Sequence, residues 1–234
     1  MALTARRADL VVGDTSVLEL VVATEFTSRS AAAISGRGRF IVALPGGSVA
    51  SAFFPVISRS GIDWAHVDIF WIDERAVAPD HPDSNYGLAS RLLLRPAGID
   101  SSRVHRMHGE LESLDVAARR ASDALTTAAG DPPRLDLALV GVGEDGHVAS
   151  IFAGRAGMEA GPQPVIAIHD ALKPPPRRLT MTFPVLANAR RVIVAGFGAA
   201  KARVLHEALR DASSATPVAE LLRRAASSIV LITS

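Results

Sequence analysis

Short apolar runs alternate with longer stretches of helical periodicity along most of the chain. Phe40–Leu44, Val67–Ile72, Leu135–Val140, Val165–Ile168, Leu179–Phe183, Arg191–Ala195 and Ile229–Thr233 are brief, largely apolar and rich in β-branched residues, which predicts strands. Between them the apolar positions fall at helical spacing. Ser16-Val17-Leu18-Glu19 reads as a capping box opening a helix with Leu18, Val21, Val22 and Phe26 on one side. Val49–Ile57 predicts a second helix. A third spans about Asp115 to Ala129 and stops at Gly130-Asp131-Pro132-Pro133. Thr216-Pro217 reads as an N-cap followed by proline in the first turn. Continuous apolar strands alternating with helices predict an α/β fold: a mostly parallel sheet flanked by helices on both faces. With no internal repeat, a single domain over residues 1–234 is the simplest organisation. The Gly- and Pro-rich stretches Gly154–Pro164 and Lys173–Pro176 read as loops around a site rather than linkers.

A parallel sheet binds ligands at the carboxyl ends of its strands. Four of the predicted strands carry unusual residues there. Phe40–Leu44 runs into Pro45-Gly46-Gly47-Ser48, where glycines let the backbone turn and bring N–H groups toward an anion at a helix N-terminus. No Gly-Lys-Ser/Thr follows, so this is not a P-loop, and Ser48 lacks the Gly-x-Ser-x-Gly setting of a nucleophile elbow. Val67–Ile72 leads into Asp73-Glu74-Arg75, three charges at the expected ligand edge, and then to Ser84-Asn85. The planar guanidinium of Arg75 suits phosphate oxygens. Leu135–Val140 leads into Gly141-Val142-Gly143-Glu144-Asp145-Gly146-His147. Its glycines fit the G-x-G-x-x-G dinucleotide fingerprint, with Asp170 downstream. That reading is set aside, because Glu144 and Asp145 occupy the pyrophosphate position and no long helix follows. The glycines instead present Asp145 and His147, a carboxylate beside a histidine suited to general acid–base work. Arg191–Ala195 leads into Gly196-Phe197-Gly198 and a helix with Lys201 in its first turn, a position where a cation is disfavoured unless an anion offsets it.

The totals narrow the classes. The chain has 234 residues, 48% of them hydrophobic and 21% charged, enough for a sizeable core without staples. With no cysteine, disulfides, thiolate metal sites and cysteine nucleophiles are excluded. The 25 basic and 24 acidic residues are interspersed, for a formal net charge of +1, so no basic stripe offers itself to nucleic acid. No apolar run has the length of a membrane span, and the N-terminus lacks a signal-peptide pattern; a cytoplasmic protein with no membrane partner is expected. His105 and His108 lie close together without carboxylates to complete a metal site. His66, His169 and His206 read as surface or turn residues, and His81 as a neighbour of Arg75. No metal or cofactor is expected, and the sequence leaves the oligomeric state open, a monomer being one option.

With these segments in place the chain resembles the 6-phosphogluconolactonase family over nearly its whole length. The resemblance rests first on Phe70-Trp71-Ile72-Asp73-Glu74-Arg75-Ala76-Val77 with Ser84-Asn85, and on Gly141 through Phe152. It is supported by Leu44-Pro45-Gly46-Gly47-Ser48, by Arg178 through Leu186, and by Gly198-Ala199-Ala200-Lys201. It implies a Rossmann-like α/β fold, shared with glucosamine-6-phosphate deaminases and sugar-phosphate isomerases. It also implies hydrolysis of 6-phospho-D-glucono-1,5-lactone to 6-phosphogluconate in the oxidative pentose phosphate pathway. By the same resemblance His147 is the general base, with Asp145 in support. Arg75 and Lys201 hold the substrate phosphate with Gly46, Gly47, Ser48 and Arg178, and Asp73 and Asn85 are further substrate-facing candidates. Three positions depart from the family pattern: Val49 and Val148 replace threonines and Ala50 replaces a proline. Two hydroxyls are thereby lost, which predicts altered affinity rather than lost activity.

Two other functions fit the same architecture. An amino-sugar phosphate deaminase or isomerase would be expected to carry a tyrosine after Asp-Glu and a glutamate soon after the histidine. Here Arg75 follows Asp73-Glu74, and Ile151-Phe152-Ala153-Gly154 holds no glutamate. A non-enzymatic sugar-phosphate sensor has less need of His147, and no helix-turn-helix extension is visible.

Overall fold

The computed structural model describes residues 8–158, 161 and 163–233. Among these, strands and helices follow in the order β1 (Asp9–Gly13), α1 (Thr15–Arg37), β2 (Phe40–Leu44), α2 (Gly47–Ile57), β3 (Val67–Trp71), β4 (Asp73–Arg75), α3 (Asn85–Ala89), α4 (Leu114–Ala129), β5 (Leu137–Gly141), β6 (Val165–Ile168), β7 (Arg178–Met181), α5 (Phe183–Ala187), β8 (Val192–Gly196), α6 (Ala199–Arg210), α7 (Pro217–Arg224) and β9 (Ser228–Thr233). All seven predicted strands are present, five of them with ends shifted by one or two residues. Leu135 and Asp136 precede β5, and Phe183 opens α5 instead of closing β7. Part of the N-terminal segment (residues 1–7), residues 159, 160 and 162 of the Gly154–Pro164 loop, and residue 234 lie outside the described part.

The main sheet is parallel throughout, in the order β1-β9-β8-β5-β2-β3. Alternate side chains of each buried strand enter two separate apolar clusters, as the two-residue period of a strand requires. Phe40, Val42 and Leu44 of β2 join Leu18, Val22 and Phe26 of α1 and Phe53, Phe54 and Ile57 of α2 on one face. Ile41 and Ala43 point the other way, toward Leu114, Ala118 and Leu125 of α4, Leu205 of α6 and Val218 of α7. Each fully buried Phe or Leu contributes roughly 1.5–3 kcal/mol. The sheet therefore carries helices on both faces because its strands are apolar on both.

Three features differ from the sequence reading. β1 and β4 were not anticipated. The chain also forms a second, antiparallel sheet, β4-β7-β6, so β6 and β7 do not belong to the parallel one. And α1 starts on Asp14, whose carboxylate accepts from the Val17 N–H at 3.0 Å. Ser16 donates to that same carboxylate instead of capping the helix itself. An ionised carboxylate at the positive end of the helix wins over a neutral hydroxyl. Ser113 caps α4 as an N-cap, Gly130 with φ of 85° ends it, and Thr216-Pro217 opens α7.

Candidate active site

The sheet order fixes where the chemistry gathers. β3, β2, β5 and β8 are contiguous neighbours, so the four singled-out strand ends lie side by side. β2 leads on to β3 in one direction and β5 leads on to β8 in the other, which opens a crevice between β2 and β5. A pocket of about 340 Å³ lies there, and every candidate except Asp145 lines it: Gly46, Gly47, Ser48, Asp73, Arg75, Asn85, His147, Arg178 and Lys201. Asp145 stands immediately behind, bonded to His147.

The His147 loop is built by small residues. Gly143 accepts in the turn that Gly146 closes, and Gly146 takes φ of 79°. A Cβ on Gly143 would fall 2.0 Å from His147 Nδ1, so the imidazole occupies the space glycine leaves. Nδ1 lies 2.5 Å from Asp145 Oδ1, and the ring packs on Phe152 with centroids 4.6 Å apart. With its Nδ1–H given to Asp145, the imidazole keeps its Nε2 lone pair for a proton. Burial lowers the His147 pKa below its ordinary value near 6.5, and the adjacent Asp145 only partly restores it. The ring is thus neutral at pH 7, as a base must be. Burial works to raise the Asp145 pKa, but the hydrogen bond and charge of His147 outweigh it and the net shift is downward. The next residue but one, Ala149, lines the pocket with φ of 52°, a strained conformation for a residue with a Cβ.

Opposite, the N-terminus of α2 opens on the pocket. Gly46 is its N-cap, and no side chain caps the first N–H groups. Gly47 adopts φ of 63°, and a Cβ on Gly46 would collide with Asn85 Oδ1 at 1.7 Å. Lys201 Nζ reaches within 3.4 Å of Ser48 Oγ. Burial lowers the Lys201 pKa, against the opposing pull of Glu144. Free helix N–H groups and an adjacent ammonium make an anion cradle. Arg75 donates from Nη1 to the Asp83 carbonyl at 2.7 Å, while its Nε is buried without a partner.

The Asp-Glu-Arg triplet divides its work. Asp73 faces the pocket and accepts from Ser150 Oγ at 2.7 Å. Glu74 does not reach the ligand edge. It is buried beneath α3, accepting from the Arg75, Asn85 and Tyr86 N–H groups and from Ser84 Oγ. Burial raises its pKa, with those four donors opposing. Glu74 thus anchors the segment that presents Asn85, whose Nδ2 donates to the Asp73 carbonyl at 2.8 Å and whose Oδ1 has no partner.

Arg178 lines the pocket but is committed elsewhere. Nε donates to the Pro175 carbonyl, Nη2 to those of Lys173 and Pro174, and Nη1 to Ser150 Oγ, with Asp73 3.8 Å away. Its side chain organises the 173–175 loop rather than offering a fork to phosphate. That loop delivers Lys173 into the pocket, 3.8 Å from Asp145. Lys173 was not singled out from the sequence; a lone lysine ahead of three prolines was the available signal. Of the residues that break the family pattern, Val148 is fully buried in the core with Val142 and Ile151, and Ala50 is fully buried as well. Val49 packs beside Gly141. Among the described residues no cluster of three or more His, Asp or Glu could hold a metal ion, and no helix is long and apolar enough to cross a membrane.

Comparison with known proteins agrees with this geometry. Residues 13–230 match the family model described as glucosamine-6-phosphate isomerases/6-phosphogluconolactonase. A probable chloroplastic 6-phosphogluconolactonase 3 of Oryza sativa subsp. indica is 36% identical over 206 residues, 82% of this chain and 63% of the relative's length. A 6-phosphogluconolactonase of Mycobacterium tuberculosis is 33% identical over 201 residues, 81% of each. The crystal structure of a 6-phosphogluconolactonase from Shewanella baltica OS155 superposes with a TM-score of 0.85 at 24% identity, covering 98% of this chain and 99% of that one, which establishes the shared fold. The chain thus spans a little under two thirds of the rice relative but four fifths of the mycobacterial one. With its sheet order, its glycine-built histidine loop and these matches in agreement, this chain belongs to the glucosamine-6-phosphate isomerase/6-phosphogluconolactonase family.

Proposed function

We propose that this protein hydrolyses 6-phospho-D-glucono-1,5-lactone to 6-phosphogluconate, with His147 as the general base. The observation that carries the reading is an Asp-oriented imidazole in one pocket with an anion cradle. The substrate phosphate sits against the α2 N-terminus, Lys201 and Arg75. His147 Nε2 takes a proton from water as the water oxygen bonds to the lactone carbonyl carbon. Lys173, the cation nearest the His147–Asp145 pair, is placed to stabilise the resulting oxyanion. Collapse of the tetrahedral intermediate breaks the bond to the ring oxygen, which takes the proton back from His147. The product acid then ionises and releases one proton to solvent.

Proton release from freshly generated lactone tests this. His147→Ala lowers the enzymatic rate about 10²–10⁴-fold, the usual range for a general base, while binding of 6-phosphogluconate persists. A variant with near-normal turnover above spontaneous hydrolysis would reject the assignment. Ammonia release from glucosamine 6-phosphate would point to a deaminase, and product binding without any turnover to a sensor.

A further inference from the structure

A second cavity, of about 570 Å³, lies away from the catalytic pocket between α4 and the segment from Tyr86 to His108. It is larger than the catalytic pocket and differs from it in kind. Its lining contains Arg95, Arg106 and Arg120 with His105 and His108, and no carboxylate. Arg106 is paired with Glu110, which also meets His108 at 3.3 Å, and His105 is bonded to Asp68. Among the described residues, Arg95 and Arg120 have neither an ion pair nor a side-chain hydrogen bond. The remaining wall is apolar, with Leu94, Ile99, Val104, Ala121 and Ala124. Two unneutralised guanidiniums beside an apolar wall, in a space of small-ligand size, call for a phosphate group joined to a largely apolar or planar body.

We propose that this cavity is a binding site for a nucleoside diphosphate or a closely similar nucleotide. Arg95 and Arg120 take the phosphates, and the wall of Ile99, Ala121 and Ala124 takes the base. The site is linked to the catalytic pocket through α3. Tyr86 lines the second cavity and the preceding Asn85 lines the catalytic one, and both backbone N–H groups are held by Glu74. The 105–110 segment also packs directly on β4, since a Cβ on Gly109 would meet the Arg75 carbonyl at 2.2 Å. A ligand that shifts Tyr86 or His108 therefore acts on the groups that position Asn85 and Arg75.

Calorimetric titration of the intact protein with ADP, with pyrophosphate and adenosine as its two halves, tests the proposal. One saturable ADP site is expected, with each half binding more weakly. The double variant Arg95→Glu/Arg120→Glu should weaken ADP about tenfold or more, the scale of lost charge-assisted bonds, and keep normal basal lactone turnover. Lys201→Ala should leave ADP binding intact. Saturating ADP should change the KM for lactone by about fivefold, a typical coupling between sites. No saturable binding at millimolar ADP, equal affinity for pyrophosphate, or binding lost in Lys201→Ala but kept in the double variant would overturn the site. An unchanged KM would overturn the coupling. The binding arms do not depend on lactone hydrolysis, so failure of the proposed activity would leave them readable.

Discussion

Arg178 holds the carbonyl of Lys173 at 3.0 Å, so the buried guanidinium of one residue sets the position of the pocket-facing ammonium of the other. The two cations are close in sequence and opposite in role. Arg178 is 4% exposed and braces the loop; Lys173 is half exposed and faces the His147–Asp145 pair.

That division separates their variants. Arg178→Ala leaves Asp73 buried beside an empty space and frees three carbonyls, and should cost about 3–5 kcal/mol of stability, the usual result of breaking a buried pair. Urea unfolding measures it. Lys173→Ala should leave the unfolding midpoint in place and lower kcat more than it raises KM.

Gly143 decides whether the imidazole fits at all. Gly143→Ala places a methyl where His147 Nδ1 now lies. Turnover should drop by about 10²-fold, as misplacing a reacting group by about an ångström does. Calorimetry with 6-phosphogluconate should show affinity within about threefold of the unaltered protein, since the added methyl meets His147 and Asp145 and none of the phosphate-binding side chains.

The pH profile reports the same dyad. Because burial lowers the His147 pKa, the base stays neutral into mildly acidic solution, and the acid limb of kcat/KM should lie below pH 6.5. Asp145 is the main group that raises the His147 pKa within this environment, with a smaller contribution from Asp73. Asp145→Asn should therefore move the limb to still lower pH while reducing kcat. A limb moving upward would contradict the assigned pairing. The stability sign follows from the same shift: the unfolded chain binds the proton more readily, so His147 contributes fully above pH 6.5 and less as pH falls below it.

Arg75→Ala and Lys201→Ala should act on affinity. Each removes one charge-assisted contact to phosphate, worth about 1.5–3 kcal/mol. The preference for phosphorylated over unphosphorylated gluconolactone should drop by about tenfold or more in each. Retention of that preference in both would place the phosphate elsewhere.

Much of this was legible in the residues. Four apolar runs ending in Gly-Gly-Ser, Asp-Glu-Arg, Gly-x-Gly and Gly-x-Gly-x-x-Lys announced strands of one parallel sheet, and in the structure those ends meet around one pocket. β1 was not legible, because its residues are mostly exposed and, among the described residues, it pairs only with β9, more than two hundred residues away. β4 was too short to show a period, and its antiparallel partner Arg178–Met181 is remote in the chain.

Residue type and local spacing alone determined the strand runs, the turns that need glycine, and the choice of a histidine and several cations as the candidate set. These depend on near neighbours, whose sterics and polarity the sequence states directly. Tertiary structure alone decided which charges face the pocket. Glu74 and Asp73 are adjacent and alike, yet one is sealed under α3 by four donors while the other faces the pocket. Arg178 looks like a phosphate ligand until the carbonyls of a folded loop take its N–H groups. A charge has no role until its partners are in place, and partners brought together by folding are not written in the local sequence.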